Sequence, residues 1–292
     1  MNRDSIKKFI ELYSQNINLT RYHLESSENL DSDVIKVIYE LQAGEYTENY
    51  RNNPEILYKY SSEIANNIRP YVDTDFSILD CGTGESNILL SILEIIPFSQ
   101  VKAFDISLNR ILWAQKNSLE KRLEIDFAVG DMLNIPLANN SVDCILTTHS
   151  IEPNGGKETI ILNELIRVAG KFLFLVEPNF IDANELQRSR MLNLNYATEL
   201  EVAIKSSNQV TLLAKKIIDN SVNELNRSAM FVLKKNSFNT DKFHSSWVDP
   251  IMLEPFEKKG TLMSTSRGIS VPFYQDIPLL RPSDCNFLFT NS

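Results

Sequence analysis

Between residues 76 and 177 the chain alternates five short apolar runs with stretches of helical spacing, and this alternation restricts the possible folds more than any other feature. FSILD, VKAFD, IDFAVG, VDCILTT and KFLFLVEP are rich in Ile, Val, Phe and Leu, and each is short enough to be a buried strand. SNILLSILEII, apolar on nearly all sides, separates the first two runs. SLNRILWAQKNSLEKR separates the second and third, with Leu108, Ile111, Leu112 and Leu119 expected on its packing face. Strand–helix–strand repetition implies right-handed crossovers and a parallel sheet covered on both faces. Further on, NQVTLLAKKIID and RSAMFVLKKN read as two more strands, so the parallel α/β sheet is expected to end in an antiparallel hairpin.

The flanks have a different texture, which divides the chain into 1–72, 73–238 and 239–292. The first part is helical in pattern, through Val34, Val37, Ile38 and Leu41 and then, from Asn53-Pro54, through Ile56, Leu57, Tyr60, Ile64 and Ile68. Tyr39, Tyr46, Tyr50, Tyr58 and Tyr60 punctuate it. Two readings stand: a helical layer packed on the sheet, or a lid whose tyrosines touch a ligand. From Asp241 onward prolines and short extended runs such as GISVPFY and IPLLRP predict a small β-rich module.

Composition excludes several classes. A chain of 292 residues buries enough apolar surface to fold without disulfides or metal. A hydrophobic share of 43% with 23% charged residues is that of an ordinary soluble globule. No run of eighteen apolar residues is present, so no membrane-spanning helix is expected. The net charge of −9 repels phosphate backbones, which argues against nucleic acid as the main partner. The start, MNRDSIKKFIELYSQ, lacks the pattern of a secretory signal, and Cys81, Cys144 and Cys285 are far apart and odd in number. A cytoplasmic protein with reduced thiols and no metal site is expected.

In an open parallel sheet, ligands bind beyond the carboxyl ends of the strands, so those ends hold the candidate residues. Asp80-Cys81-Gly82-Thr83-Gly84-Glu85-Ser86 follows the first strand, with two glycines that permit a tight turn and close approach to bare backbone. Asp105, followed by Ile106, ends the second strand, where a carboxylate can accept both hydroxyls of a ribose. Asp131 and Met132 end the third and offer an acceptor and an apolar face to a base. Thr147-Thr148-His149-Ser150-Ile151-Glu152 ends the fourth. A nicotinamide dinucleotide fits poorly: Asn87 stands where its fingerprint has a third glycine, and Asp80 would repel a pyrophosphate. A cofactor bearing a cationic amine, a ribose diol and an adenine, such as S-adenosylmethionine, suits the three acids.

LDCGTGESN, AFDIS, AVGDMLNIPLANNSVDCILTTHSIEP and ELIRVAGKFLFLVEPN resemble the successive motifs of class I S-adenosylmethionine-dependent methyltransferases, over roughly residues 76–236. The resemblance implies a Rossmann-like seven-stranded sheet. It also implies that Asp80, Gly82 and Gly84 line the methionine end, Asp105 the ribose, Asp131 and Met132 the adenine, with Ile106 also against the cofactor and His149 near the transferred methyl. Glu85-Ser86 departs from the small residue often found there. In-line methyl transfer draws on positioning, and an acidic hydroxyl or amine acceptor also benefits from a base. His149 is the candidate base and Glu152 the second, with packing beside the cofactor as the alternative for His149; His23 and His244 are assigned no chemistry. The tail segment GTLMSTSRGISVPFYQDIPLL is similar to the end of small zinc-ribbon-type proteins that activate some methyltransferases. Cysteines expected near Asp249 and Met252 are missing, so the resemblance implies a metal-free docking module, in the same chain or across a homodimer, with an ordinary β-rich extension as the alternative. The expected activity is methylation of an oxygen or nitrogen of a small biosynthetic molecule. A protein or tRNA acceptor and a non-catalytic cofactor-binding partner are the alternatives.

Overall fold

A computed structural model describes residues 1–25, 30–221, 223–237, 246–259 and 262–287. The five apolar runs are β1 (Ser77–Cys81), β2 (Gln100–Asp105), β3 (Asp126–Val129), β4 (Val142–Thr148) and β5 (Ala169–Pro178). Two further strands, β6 (Val210–Ile217) and β7 (Ser228–Lys235), complete a seven-stranded sheet of order β3-β2-β1-β4-β5-β7-β6. Strands β1 to β5 pair in parallel, while β7 runs antiparallel to both β5 and β6. The order reverses at β1/β4, which puts the switch point between the Gly82–Gly84 turn and the loop after β4.

Every residue of β1 is buried because both faces of the sheet are covered. Leu79 and Cys81 face a core shared with helices α8 (Glu158–Val168) and α10 (Leu200–Ser206), through Ile161, Leu165 and Ile204. Ile78 faces a second core with α5 (Pro54–Ile68), α6 (Asn87–Leu93) and α7 (Leu108–Lys121). The two-residue period of the strand thus splits its side chains between two helical layers. On α7 the buried stripe is Ile111, Ala114 and Ser118, and Leu119 is 71% exposed, not packed as expected. Leu119 is rotated off a face whose small residues let the helix approach the sheet.

The expected helical region begins with α1 (Arg3–Ser14), α2 (Leu19–Leu24), α3 (Ser32–Leu41) and α4 (Glu45–Asn52). Phe9, Leu12, Leu19, Leu30, Val34, Ile35 and Ile38 form a small core of their own, and Ile106 packs against it. Helix α5 is different, since Tyr60, Ile64, Ala65 and Ile68 belong to the sheet's core. The part of the 1–72 region with a core of its own is therefore α1–α4, a cap, and the last helix is a sheet-covering layer. Helix α9 (Glu185–Asn193) lies between β5 and α10 and starts with a capping box made by Asn184 and Gln187.

The tail is β-rich, as expected. A four-stranded sheet of order β13-β10-β9-β8 contains β8 (Glu257–Lys259), β9 (Leu262–Ser264), β10 (Ile269–Val271) and β13 (Asn286–Phe287). A separate pair contains β11 (Phe273–Tyr274) and β12 (Ile277–Pro278). The module lies against the β3 edge of the large sheet. Leu279 bridges Val129 in parallel register, the Leu280 N–H donates to the Val129 carbonyl at 2.7 Å, and Val248 N–H donates to Pro136 O at 3.0 Å. Trp247, Val271 and Leu280 are buried in the same core as Leu79 and Phe104. Docking is thus within the chain, and it covers an edge strand that would otherwise offer free backbone groups.

Candidate active site

A cavity of about 280 Å³ opens at the strand ends, beneath α3, α4 and the N-terminal part of α5. Gly82, Gly84, Asp105, Ile106, Asp131, Met132, His149 and Glu152 all line it. Asp80 does not. It is buried below the wall, its Oδ1 has no hydrogen-bond partner, and burial above all pushes its pKa up to about 7. Thr83 hydrogen-bonds the carboxyl, and the free Oδ1 leaves one acceptor position open to a donor or cation above the loop.

The turn after β1 is shaped by its neighbours in the fold. Gly82 and Gly84 have φ of +74° and +56°, and a Cβ on Gly82 would lie 2.4 Å from the Ser150 Cβ. The loops after β1 and β4 therefore touch, and Ser150 Oγ donates to Cys81 O at 2.7 Å. Asp105 is held by two N–H groups, Gly84 to Oδ2 and Ser107 to Oδ1, each at 2.9 Å. The Leu133 N–H donates to Asp131 Oδ1 at 2.9 Å, which turns the chain after β3. The departure at Glu85 also has a structural cause. Its buried carboxylate accepts from Gly44 N at 2.8 Å and Thr47 N at 2.6 Å, at the N-terminus of α4, so the loop after β1 holds the cap in place.

The far wall holds a polar network centred on His149, whose φ is +53°. Its Nδ1 lies 2.9 Å from Glu152 Oε2, and its Nε2 lies 2.7 Å from Ser228 Oγ and 3.1 Å from Tyr60 Oη. Asn226 Nδ2 donates to Glu152 Oε2 at 2.9 Å. Burial, the largest influence on His149, disfavours the imidazolium. The charge and hydrogen bond of Glu152, with help from Glu177, outweigh it and raise the pKa above the ordinary 6.5. Glu177, at the end of β5, receives the N–H groups of Ser150, Ile151 and Glu152, and burial pushes its pKa to about 7. It braces the loop that carries His149.

Of the five tyrosines of the helical region, Tyr39, Tyr46, Tyr50 and Tyr60 line the cavity, while Tyr58 is 63% exposed and elsewhere. Helix α9 and the segment after it add Arg190 and Tyr196, the guanidinium donating to Asn226 Oδ1 at 2.9 Å and Tyr196 Oη at 3.3 Å. Ser228, Asn226 and Glu177 were missed, although a glutamate ending an otherwise apolar strand was a signal for the last. His23 packs against the Phe9 ring, and His244 lies outside the described residues. Among the described residues no group of three His, Cys, Asp or Glu side chains is placed to hold a metal. Asp249, where a zinc-ribbon cysteine was expected, is buried and accepts the N–H groups of Ile251, Met252 and Glu254 at 3.0, 2.6 and 2.7 Å. One carboxylate thereby organises that turn from within the chain.

Residues 78–170 match the family model described as a methyltransferase domain. No curated protein matches the chain. Among solved structures, magnesium protoporphyrin IX methyltransferase of Synechocystis PCC 6803, with bound SAH, is similar at a TM-score of 0.56 and 11% identity. That alignment covers 70% of this chain and 100% of the other. A chain of the Haloferax volcanii complex containing the Trm112 methyltransferase activator aligns at a TM-score of 0.52 and 12% identity, covering 66% of this chain and 96% of that one. At such identities the likeness concerns the fold. The family match places a methyltransferase domain at residues 78–170, the part of the sheet whose strand ends open into the cavity. The fold is one that this chain shares with these solved methyltransferases.

Proposed function

We propose that the protein methylates an oxygen or nitrogen of a small biosynthetic molecule enclosed between the strand ends and the cap, with His149 as the proton acceptor. The observation that carries this reading is the His149–Glu152 pair on the wall of a cavity covered by α3 and α4. The residues present fit S-adenosylmethionine: an unpartnered buried Asp80 oxygen, bare backbone at Gly82 and Gly84, a pre-oriented Asp105 and the Met132 face. Gly82 and Gly84 would hold the amino-acid end above Asp80, Asp105 and Ile106 the ribose, and Asp131 and Met132 the adenine. Bound there, the cofactor supplies an electrophilic methyl group on a sulfonium.

Residues of the chain supply the rest. Glu152 fixes the proton on His149 Nδ1, which leaves Nε2 to accept. Tyr60 lines the cavity and its hydroxyl lies 3.1 Å from Nε2, so a proton from the acceptor reaches His149 directly or through Tyr60. The cap excludes water, and Arg190, Tyr196 and Asn226 position the acceptor. The C-terminal module, docked on β3, takes the place of a separate activator; Arg281 Nη1 donates to Ile106 O at 2.9 Å and so steadies one residue of the cavity wall. A site with these requirements suits a cytoplasmic enzyme.

Calorimetric titration with S-adenosylmethionine, S-adenosylhomocysteine and NAD tests the cofactor. Both adenosyl compounds are expected to bind, with Asp105→Ala weakening them by about tenfold to a hundredfold; binding of NAD alone would sink the reading. Labelled methyl is expected in small metabolites, and label confined to protein or RNA fractions would reject the small-molecule acceptor. His149→Ala is expected to lower kcat by about 10²–10⁴. For the wild type, kcat/KM should rise with pH through an apparent pKa above the ordinary 6.5, since His149 acts as a base only when neutral. Glu152→Gln removes the charge that raises this pKa and should move the rising limb to lower pH.

A further inference from the structure

Arg110 is buried to 5% exposure on α7, yet one of its nitrogens, Nη2, has no hydrogen-bond partner. Such a group is costly to leave unmet in a folded interior. The guanidinium lies between two rings of the cap, 4.4 Å from the centroid of Tyr39 and 4.7 Å from that of Tyr46. Its Nε makes a long contact, 3.4 Å, with Tyr39 O. Among the described residues no carboxylate forms an ion pair with it, although Asp105 and Glu85 are near enough to favour its charge. Burial alone would lower its pKa; those acids and the two tyrosines more than offset this, so it stays cationic.

The position is specific. Arg110 lines the cavity, and its Nη1 lies 3.3 Å from where a Gly84 Cβ would stand. It is therefore at the glycine turn assigned above to the amino-acid end of the cofactor. That end carries the one anionic group of S-adenosylmethionine, whereas Asp80, Asp105 and Asp131 at the same strand ends offer only acceptors. Arg190, the other guanidinium on the wall, is held by Asn226 and Tyr196 on the His149 side. We infer that Arg110 is the counter-ion for the amino-acid carboxylate of the cofactor, received on the side of the guanidinium that carries Nη1 beside Gly84. This assignment rests on the cofactor reading above. It also couples ligand to cap, since the rings that sandwich the guanidinium come from α3 and α4 and are aligned by the same charge.

Two ligands separate the carboxylate from the rest of the molecule. S-adenosylhomocysteine carries the amino acid; 5′-methylthioadenosine keeps the adenosine and sulfur but lacks it. Dissociation constants for both are measured by calorimetry on the wild type, Arg110→Gln and Arg110→Lys. Arg110→Gln is expected to weaken S-adenosylhomocysteine by about tenfold to a hundredfold, the range for a charge-assisted hydrogen bond, while leaving methylthioadenosine unchanged. Arg110→Lys, which keeps the charge but loses the planar fork, is expected to recover part of the loss. Retained methylthioadenosine binding shows that the variant site is folded. Equal weakening of both ligands, or no change in either, would overturn the assignment and leave Arg110 as a packing residue of the cap. A wild type that binds neither ligand would overturn the cofactor reading itself, and the assignment with it.

Discussion

The two appendages of the sheet are attached in opposite ways. The N-terminal cap has its own apolar cluster, and Ile106 is the residue of the sheet domain packed against it. Most of its other ties are polar or charged, among them Glu85 at the start of α4, Glu40 accepting from Leu108 N and Asn109 N at the start of α7, Asn117 donating to Thr47 Oγ1, Arg51 paired with Glu120, Lys157 donating to Leu30 O, and the Arg110 guanidinium between the Tyr39 and Tyr46 rings. The C-terminal module instead places Trp247, Val271 and Leu280 in the sheet's core and bonds backbone to backbone along β3. Lifting the cap would expose little of the sheet's apolar core, whereas lifting the module would open that core to water. Attachment by a few charged groups suits a cover that opens for substrate, and attachment by burial suits a permanent wall.

Trp247→Ala is the strongest challenge to this contrast. The indole is buried, donates to Asp126 Oδ1 at 2.8 Å and lies under the Lys102 ammonium, which itself pairs with Asp126. Its removal should cost about 3–5 kcal/mol of global stability in denaturant melts. A melt that barely moves would show the module to be as detachable as the cap. Glu85→Ala should cost less, about 1–2 kcal/mol, and locally. Amides of α3 and α4 should exchange faster while those of β1 and β4 keep their protection; uniform loss would mean that the cap is part of the global folding unit. Glu40→Gln is the mildest, because a neutral acceptor remains at the α7 N-terminus. About 0.3–1 kcal/mol is expected, shrinking as salt is added. Salt-independent loss would point to packing by the Glu40 stem rather than its charge.

The strands, their parallel direction and the terminal hairpin were legible because each strand is a run of neighbouring residues with its own period and helical stretches separate the parallel ones. The strand-end candidates were legible for the same reason: Gly82, Asp105, Asp131 and His149 each lie at the end of a recognisable strand or within two residues after it. Asp80 shows the limit of that logic, since the residue ending a strand can point beneath the wall as well as into the cavity. The face of α7 was misjudged at Leu119 because a helix with small residues at Ala114 and Ser118 buries the side that fits closest, and not its most apolar one. Glu85 was visible only as a departure from pattern; its bonds run to residues about forty positions earlier.

By itself, the sequence determined the α/β sheet, the turn chemistry after each strand and the excess of acids at the strand ends, since these depend on local spacing and backbone preference. Tertiary structure alone decided which side chains meet across the cavity. Tyr60, His149 and Ser228 share a hydrogen-bond network although the outer two are 168 residues apart, and Arg110 acquires its aromatic sandwich from helices that precede the sheet. Such meetings are set by how layers pack, and packing depends on the volumes of many distant residues at once.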